Sequence, residues 1–175
     1  MIVYTFKTSL GFFTMNILNN DLYGITFSSE KSIIESEPPL VGSAVFETLS
    51  EIESQIKQYL NGERKAFCLN RYLTWLLGDH TNDGHGTVFQ KTVWRALLTI
   101  PYGSLISYSD VALMIGKPKA VRAVANAIAN NPLLMVIPCH RVIRKKGQLG
   151  GFSAGLELKT KWIEMEKTGV CLDGL

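Results

Sequence analysis

The residues best suited to chemistry are Cys139, His140 and Arg141, which follow an apolar run, Leu133 to Ile137, and Pro138. A thiolate, not a thiol, is the nucleophile, and a neighbouring cation raises the thiolate fraction. Most cysteines are buried and structural, and Cys68 and Cys171 fit only that description. Cys68 sits among Ala66, Phe67 and Leu69, and Cys171 lies near the end of the chain. His140 is the obvious base, yet side chains at i and i+1 do not face one another on a helical turn. A link through water is the better expectation, with a buried carboxylate, not identified by spacing, orienting the imidazole. His80, His85 and Cys68 offer at most three ligands in loose spacing, so no metal is expected.

The elements that must position these groups fall into two halves. Residues 1–27 read as three strands of an antiparallel meander, with Asn19-Asn20-Asp21 as a turn. Pro38-Pro39 and Gly42 break that pattern. Ser43 then caps a helix to about Leu60, whose Val45, Leu49, Ile52, Ile56 and Tyr59 share one face, and Asn61-Gly62 ends it. Residues 63–77 are ambiguous, and Gly78 to Gly86 reads as a linker. Thr87 caps the next helix, with Phe89, Val93, Trp94, Leu97 and Leu98 inward. Ser107 and Asp110 form a capping box for a short helix to Ile115. Gly116 and Pro118 then lead into a helix running from Pro118 to about Ala129, which gives a helix-turn-helix pattern. Asn130-Asn131-Pro132 stops it, the run from Leu133 is expected to be extended, and a last helix covers about Leu156 to Lys167.

The expected fold is α/β of the α+β kind. Residues 1–80 form a small sheet-plus-helix structural domain, 81–86 a linker, and 87–175 a mainly helical domain carrying the helix-turn-helix.

Composition narrows the function classes. The 175 residues are 46% hydrophobic, which is enough for a core and excludes a disordered chain. Three Cys without a C-x-x-C pair exclude a disulfide framework and a thiolate zinc ribbon. No signal peptide or membrane span is evident, so a soluble protein inside the cell is expected. The net charge of +3 conceals an asymmetry: residues 1–86 carry 6 basic and 10 acidic side chains, and residues 87–175 carry 12 and 5. A basic half with a helix-turn-helix points to nucleic acid. Its second helix is thin, with Ala120, Ala123, Ala125, Ala127 and Ala129 around a solitary Arg122. Such a helix suits close packing or a narrow groove, where the arginine could hold DNA open after a base leaves the stack.

Ile137-Pro138-Cys139-His140-Arg141-Val142 resembles the active-site motif of the O6-alkylguanine-DNA alkyltransferases, the methylated-DNA–protein-cysteine methyltransferase family. The likeness runs from about Thr87 to Glu166. It includes Val93-Trp94, Ile100-Pro101-Tyr102-Gly103, Ile106-Ser107-Tyr108, Pro118 to Val124, Asn131-Pro132 and the loop from Gly150 to Gly155; residues 1–86 share only the layout, a ribonuclease-H-like sheet plus helix. The resemblance implies direct repair without a cofactor or metal. The protein would bind the minor groove of alkylated double-stranded DNA as a monomer and flip the damaged nucleotide. Cys139 would then take the alkyl group from guanine O6, or from O4 of thymine, irreversibly and once. By the same resemblance, His140 is the water-linked base, Glu166 orients it, Asn131 braces the loop and Tyr108 donates to the guanine ring. Ser153, Phe152, Ala154, Leu134 and the Val142 carbonyl line the base pocket. Arg122, Ala123, Ala127, Arg141 and Lys119 meet DNA. Phe152 stands where many members have Tyr, and Ala154 where Gly is common. The implied setting is the cytoplasm, or the nucleus or nucleoid. A damage-binding protein of the same fold that performs no transfer is the alternative; a cysteine hydrolase leaves the thin helix unexplained.

Overall fold

A computed structural model describes residues 1–30, 39–78 and 85–170. Pro38, His80, most of the expected linker (81–84) and Cys171 lie outside the described residues.

Strands β1 (Ile2–Thr8), β2 (Gly11–Leu18) and β3 (Asp21–Ser28) form an antiparallel sheet in that order. Asn19 and Asn20 both take positive φ, 50° and 67°, the backbone that a tight hairpin between twisted strands requires. Alternation along β2 buries Phe13, Met15 and Ile17 on one face. Helix α1 (Ala44–Leu60) covers that sheet. Ser43 caps it by accepting from the Phe46 N–H, and Leu49, Ile52, Ile56 and Tyr59 form its buried face. The ambiguous stretch resolves into a single 3-10 turn (Asn70–Tyr72) and a short helix, α2 (Thr74–Leu77), which buries Trp75 and Leu76. Cys68, expected to be buried, is exposed, with Arg64 Nη1 3.8 Å from its sulfur.

The second half begins with α3 (Val88–Leu98), opened by a capping box between Thr87 and Gln90. A two-residue strand, β4 (Ile106–Ser107), leads directly into α4 (Tyr108–Met114), where the Ser107–Asp110 box forms as expected. Helix α5 (Val121–Ala129) starts three residues later than Pro118, because Lys117 to Ala120 is a turn closed by the Ala120 N–H on the Lys117 carbonyl at 2.9 Å. The segment Leu133–Ile137 is not extended throughout. Met135 takes φ 75°, and isolated bridges join Ile25 to Leu133 and Leu134 to Ile137. A 3-10 turn (Cys139–Arg141) follows, then β5 (Val142–Ile143) and finally α6 (Leu156–Thr168).

Two backbone bonds tie the halves together behind the reactive segment. The Ile25 N–H donates to the Pro132 carbonyl (2.8 Å), and the Leu134 N–H to the Ile25 carbonyl (3.2 Å). One continuous apolar core contains Phe13 and Ile17 of the sheet, Ile52 and Ile56 of α1, Val93 and Leu97 of α3, Ile137, and Trp162 of α6. The first half thus provides the floor on which the Cys139 turn rests. No helix among the described residues is long and apolar enough to cross a membrane.

Candidate active site

Cys139 is delivered by a local turn. Pro138, at φ −79° and ψ 62°, is the centre of an inverse γ-turn closed by the Cys139 N–H on the Ile137 carbonyl at 2.7 Å. Proline has its φ fixed near this value, so the turn is partly prepaid by the sequence. Asn131 completes the brace. Its Oδ1 accepts from the Leu133 N–H (3.0 Å), while its Nδ2 donates to the Ile137 carbonyl (2.9 Å) and to Cys139 Sγ (2.9 Å). Asn131 therefore both shapes the loop and touches the sulfur.

Burial pushes the Cys139 thiol up, against the bond from Asn131 and the charge of Lys159, which favour the thiolate. A thiol so placed needs a proton acceptor before it can react. His140 is fully buried in the same 3-10 turn, and its ring packs on α6. Its Nε2 lies 2.7 Å from Glu166 Oε1, its ring meets Trp162 edge to face, and its buried Nδ1 has no hydrogen-bond partner among the described residues. Burial pushes the imidazole down, opposed by Glu166, so it is a neutral base at ordinary pH.

Glu166 is the hub. Its carboxylate accepts from His140, from Arg141 Nε (2.9 Å to Oε2) and Nη2 (2.9 Å to Oε1), from the Gly103 N–H (2.8 Å) and from the Tyr59 hydroxyl. Burial alone would raise its pKa; the bonds from His140 and Arg141 outweigh it and hold the group at about 2. Arg141 also donates to the Ile100 carbonyl (2.6 Å) and is only 7% exposed. The expectation that Arg141 meets DNA is corrected: its guanidinium is spent on Glu166 and the α3 terminus.

Tyr108 is brought beside Cys139 by a pairing invisible in the sequence. β4 lies parallel to β5, with Ile106 opposite Val142 and Ser107 opposite Ile143. One strand runs straight into Tyr108 and the other straight out of the Cys139 turn. Gly150 makes room for the phenol, since a Cβ there would come within 2.9 Å of two ring carbons of Tyr108.

A cavity of about 440 Å³ opens over Cys139, within the range of small-ligand pockets. Tyr108, Phe152, Ser153 and Arg122 line it, together with Ala125 of the thin helix and with Arg144, which sequence reasoning did not single out. The remaining expected lining residues lie elsewhere. Leu134 and the Val142 side chain are buried in the core, and the Val142 carbonyl accepts from the buried Lys159 Nζ at 2.7 Å. Ala154 lines a neighbouring groove with Phe27 and Leu156. On α5, Arg122 and Ala123 are exposed beside Asn126, and Lys119 is exposed just before the helix. Ala127, expected on that face, is buried with Val124 and Ile128, and its carbonyl accepts from Trp94 Nε1. The spacing 124, 127, 128 marks the inward face and could have excluded Ala127.

Residues 88–168 match the family model for the DNA binding domain of 6-O-methylguanine DNA methyltransferase. The inducible methylated-DNA–protein-cysteine methyltransferase of Bacillus subtilis is 45% identical over 129 residues, which are 72% of this chain and 66% of that protein. The chain thus spans just under two thirds of that relative's length. A probable methylated-DNA–protein-cysteine methyltransferase of Acanthamoeba polyphaga mimivirus is 41% identical over 138 residues, 78% of this chain and 89% of that protein. The crystal structure of Mycobacterium tuberculosis OGT in complex with DNA superposes with a TM-score of 0.74 at 32% identity, covering 97% of this chain and 95% of that one. Similarity of this degree over nearly the whole of two relatives, with the family model matching residues 88–168, shows that the chain belongs to the methylated-DNA–protein-cysteine methyltransferase family.

Proposed function

We propose that this protein repairs alkylated double-stranded DNA by taking the alkyl group of O6-alkylguanine onto Cys139, once per molecule. The observation that carries the reading is the placement of Cys139 Sγ, bonded by Asn131 Nδ2 at 2.9 Å on the wall of a cavity of about 440 Å³ shared with Tyr108 and Arg122. The names of the relatives, and the DNA in the M. tuberculosis structure, support it.

In the proposed reaction the nucleotide leaves the duplex and enters the cavity. The thiol proton passes through one bridging water to His140 Nδ1, and Glu166 stabilises the resulting imidazolium. Sγ attacks the alkyl carbon, an S–C bond forms, and the C–O6 bond breaks with its electron pair moving to guanine. Burial keeps the Tyr108 phenol protonated, so it donates to the guanine as that charge develops. The imidazolium returns the proton through Tyr108, leaving guanine neutral and the cysteine a thioether. Water does not displace a thiolate from an unactivated alkyl carbon at neutral pH, so the thioether is permanent.

Binding from the minor groove as a monomer, through the exposed face of α5, belongs to the same proposal. So does a structural role for residues 1–80, with a boundary at 81–86, and a reducing compartment inside the cell that keeps Cys139 a thiol. Intact-mass analysis after mixing with duplex containing O6-methylguanine should show one added methyl, mapped to Cys139, with a plateau at one per protein under DNA excess. An unmodified mass, or turnover beyond one, rules the reading out.

Arg122→Ala should leave folding intact, because the side chain is exposed at the cavity rim. The flipped state would lose the group that fills the gap in the stack, so transfer from duplex should slow by about tenfold, roughly 1.4 kcal/mol and a part of the few kcal/mol that unstacking costs. Transfer from the free base, which needs no flipping, should be unchanged; an equal loss on both substrates would count against the assignment.

A further inference from the structure

We propose that Tyr59, on α1 of the first half, is a positioning residue for the base of this reaction: its hydroxyl donates to Glu166 and turns only oxygen lone pairs toward His140 Nε2, and with Glu166 this fixes the tautomer in which Nδ1 takes the proton. The role in transfer rests on Cys139 being the alkyl acceptor; the tautomer does not.

Tyr59 is fully buried, and its ring is held between Phe67, stacked at 5.0 Å, and Tyr102, edge-on at 5.8 Å. The hydroxyl reaches Glu166 Oε1 and lies 3.4 Å from His140 Nε2. The direction of the Glu166 bond follows from the ionisation of its partners. Glu166 is held at about 2 and can only accept. Burial and the adjacent carboxylate push the Tyr59 phenol up, so it keeps its proton. With that proton directed at Glu166, both atoms facing Nε2, Glu166 Oε1 and Tyr59 Oη, are acceptors. Nε2 must then carry hydrogen, and the lone pair resides on Nδ1, the nitrogen that no described residue occupies.

Tyr59 also tempers the base. The charged groups around the imidazole are Glu166 and Lys159 of α6 and Arg141 of its own turn, with Tyr59 facing it from α1. Glu166 favours the imidazolium; Arg141 and Lys159 oppose it. A phenol donor on Glu166 withdraws part of the carboxylate's negative charge, so removing it should make His140 more basic.

In Tyr59→Phe, transfer measured across pH should fall about tenfold near pH 6.5, where more of the base is already protonated, and return to the parent rate near pH 9. A general loss of structure would lower the rate at every pH. Tyr102→Phe is the control. Its buried hydroxyl has no hydrogen-bond partner among the described residues, so its profile should match the parent. Ring 15N shifts of labelled histidine, without DNA, give an independent reading, with His80 and His85 assigned through their Gln variants. The parent should show hydrogen on Nε2 of His140, and Tyr59→Phe should keep that tautomer, which Glu166 still demands, with a higher titration point. An Nδ1–H tautomer in the parent overturns the proposal whether or not the variant folds. Unchanged profiles and shifts in the variant also overturn it. Absence of transfer in the parent would instead strike at the reading of Cys139.

Discussion

Glu166→Gln should cost about 3–5 kcal/mol of folding stability at neutral pH, the usual cost of leaving one member of a buried ion pair without its partner. The change is isosteric, so the loss is electrostatic. Arg141 would remain buried with its guanidinium facing a neutral amide, and the amide NH₂ would confront donors from Arg141, Tyr59 and Gly103 in a place built for acceptors. The carboxyl is held at about 2, below its ordinary 4.5, which corresponds to roughly 3 kcal/mol. The two routes agree in magnitude. A depressed folded-state pKa supplies stability that is fully present above the unfolded value and lost as the carboxyl protonates. The gap between parent and variant should therefore be widest above about pH 4.5 and narrow toward pH 2. Denaturant unfolding at pH 7 and at pH 3 measures it, and a gap that stayed constant would show that Glu166 acts through packing alone. Transfer should slow by about 10²-fold as His140 loses the anion that stabilises its charged form.

That hub also shows where sequence reading reached its limit. Features set by neighbours along the chain were legible: the three strands, the Ser43 cap and the Ser107–Asp110 box each depend on a few adjacent residues. Cys139 and His140 stood out by their own residue types, Asn131, Tyr108 and Glu166 were joined to them only through resemblance to a family, and the structure brings all five into one region. Arg141 was misjudged because a cation is normally exposed; its burial depends on Glu166, 25 positions away, and on the Ile100 carbonyl, 41 away. β4 and β5 left no signal, since two residues of parallel pairing have no periodicity to detect. Met135 adopts a left-handed backbone without the glycine that would announce it. Tyr59 looked like one more apolar position on α1, and only its hydroxyl's destination distinguishes it from Ile56.

Cys139→Ala should abolish methyl uptake completely while leaving DNA binding and stability nearly intact. The expectation of full loss is chemical: no other thiol among the described residues faces the cavity, and Cys68 is exposed on a different surface. The expectation of preserved stability is structural. Removing Sγ frees one of the two Asn131 Nδ2 N–H groups while the other still donates to the Ile137 carbonyl at 2.9 Å, and the freed one belongs to a partly buried residue at the cavity edge, where water can accept it. The alanine side chain borders a cavity that already exists, so the void it adds merges with open space and the cost should stay below about 1 kcal/mol. Binding should persist because Arg122, Ala123 and Lys119, to which the proposed function gives the DNA contacts, are untouched and exposed. The variant therefore separates recognition from reaction: a gel-shift assay on O6-methylguanine duplex should match the parent while intact mass shows no adduct. A methyl appearing on Cys68 or Cys171 in the variant would mean that the alkyl group can be captured without the Asn131, His140 and Glu166 machinery, and the mechanism proposed for Cys139 would fall with it.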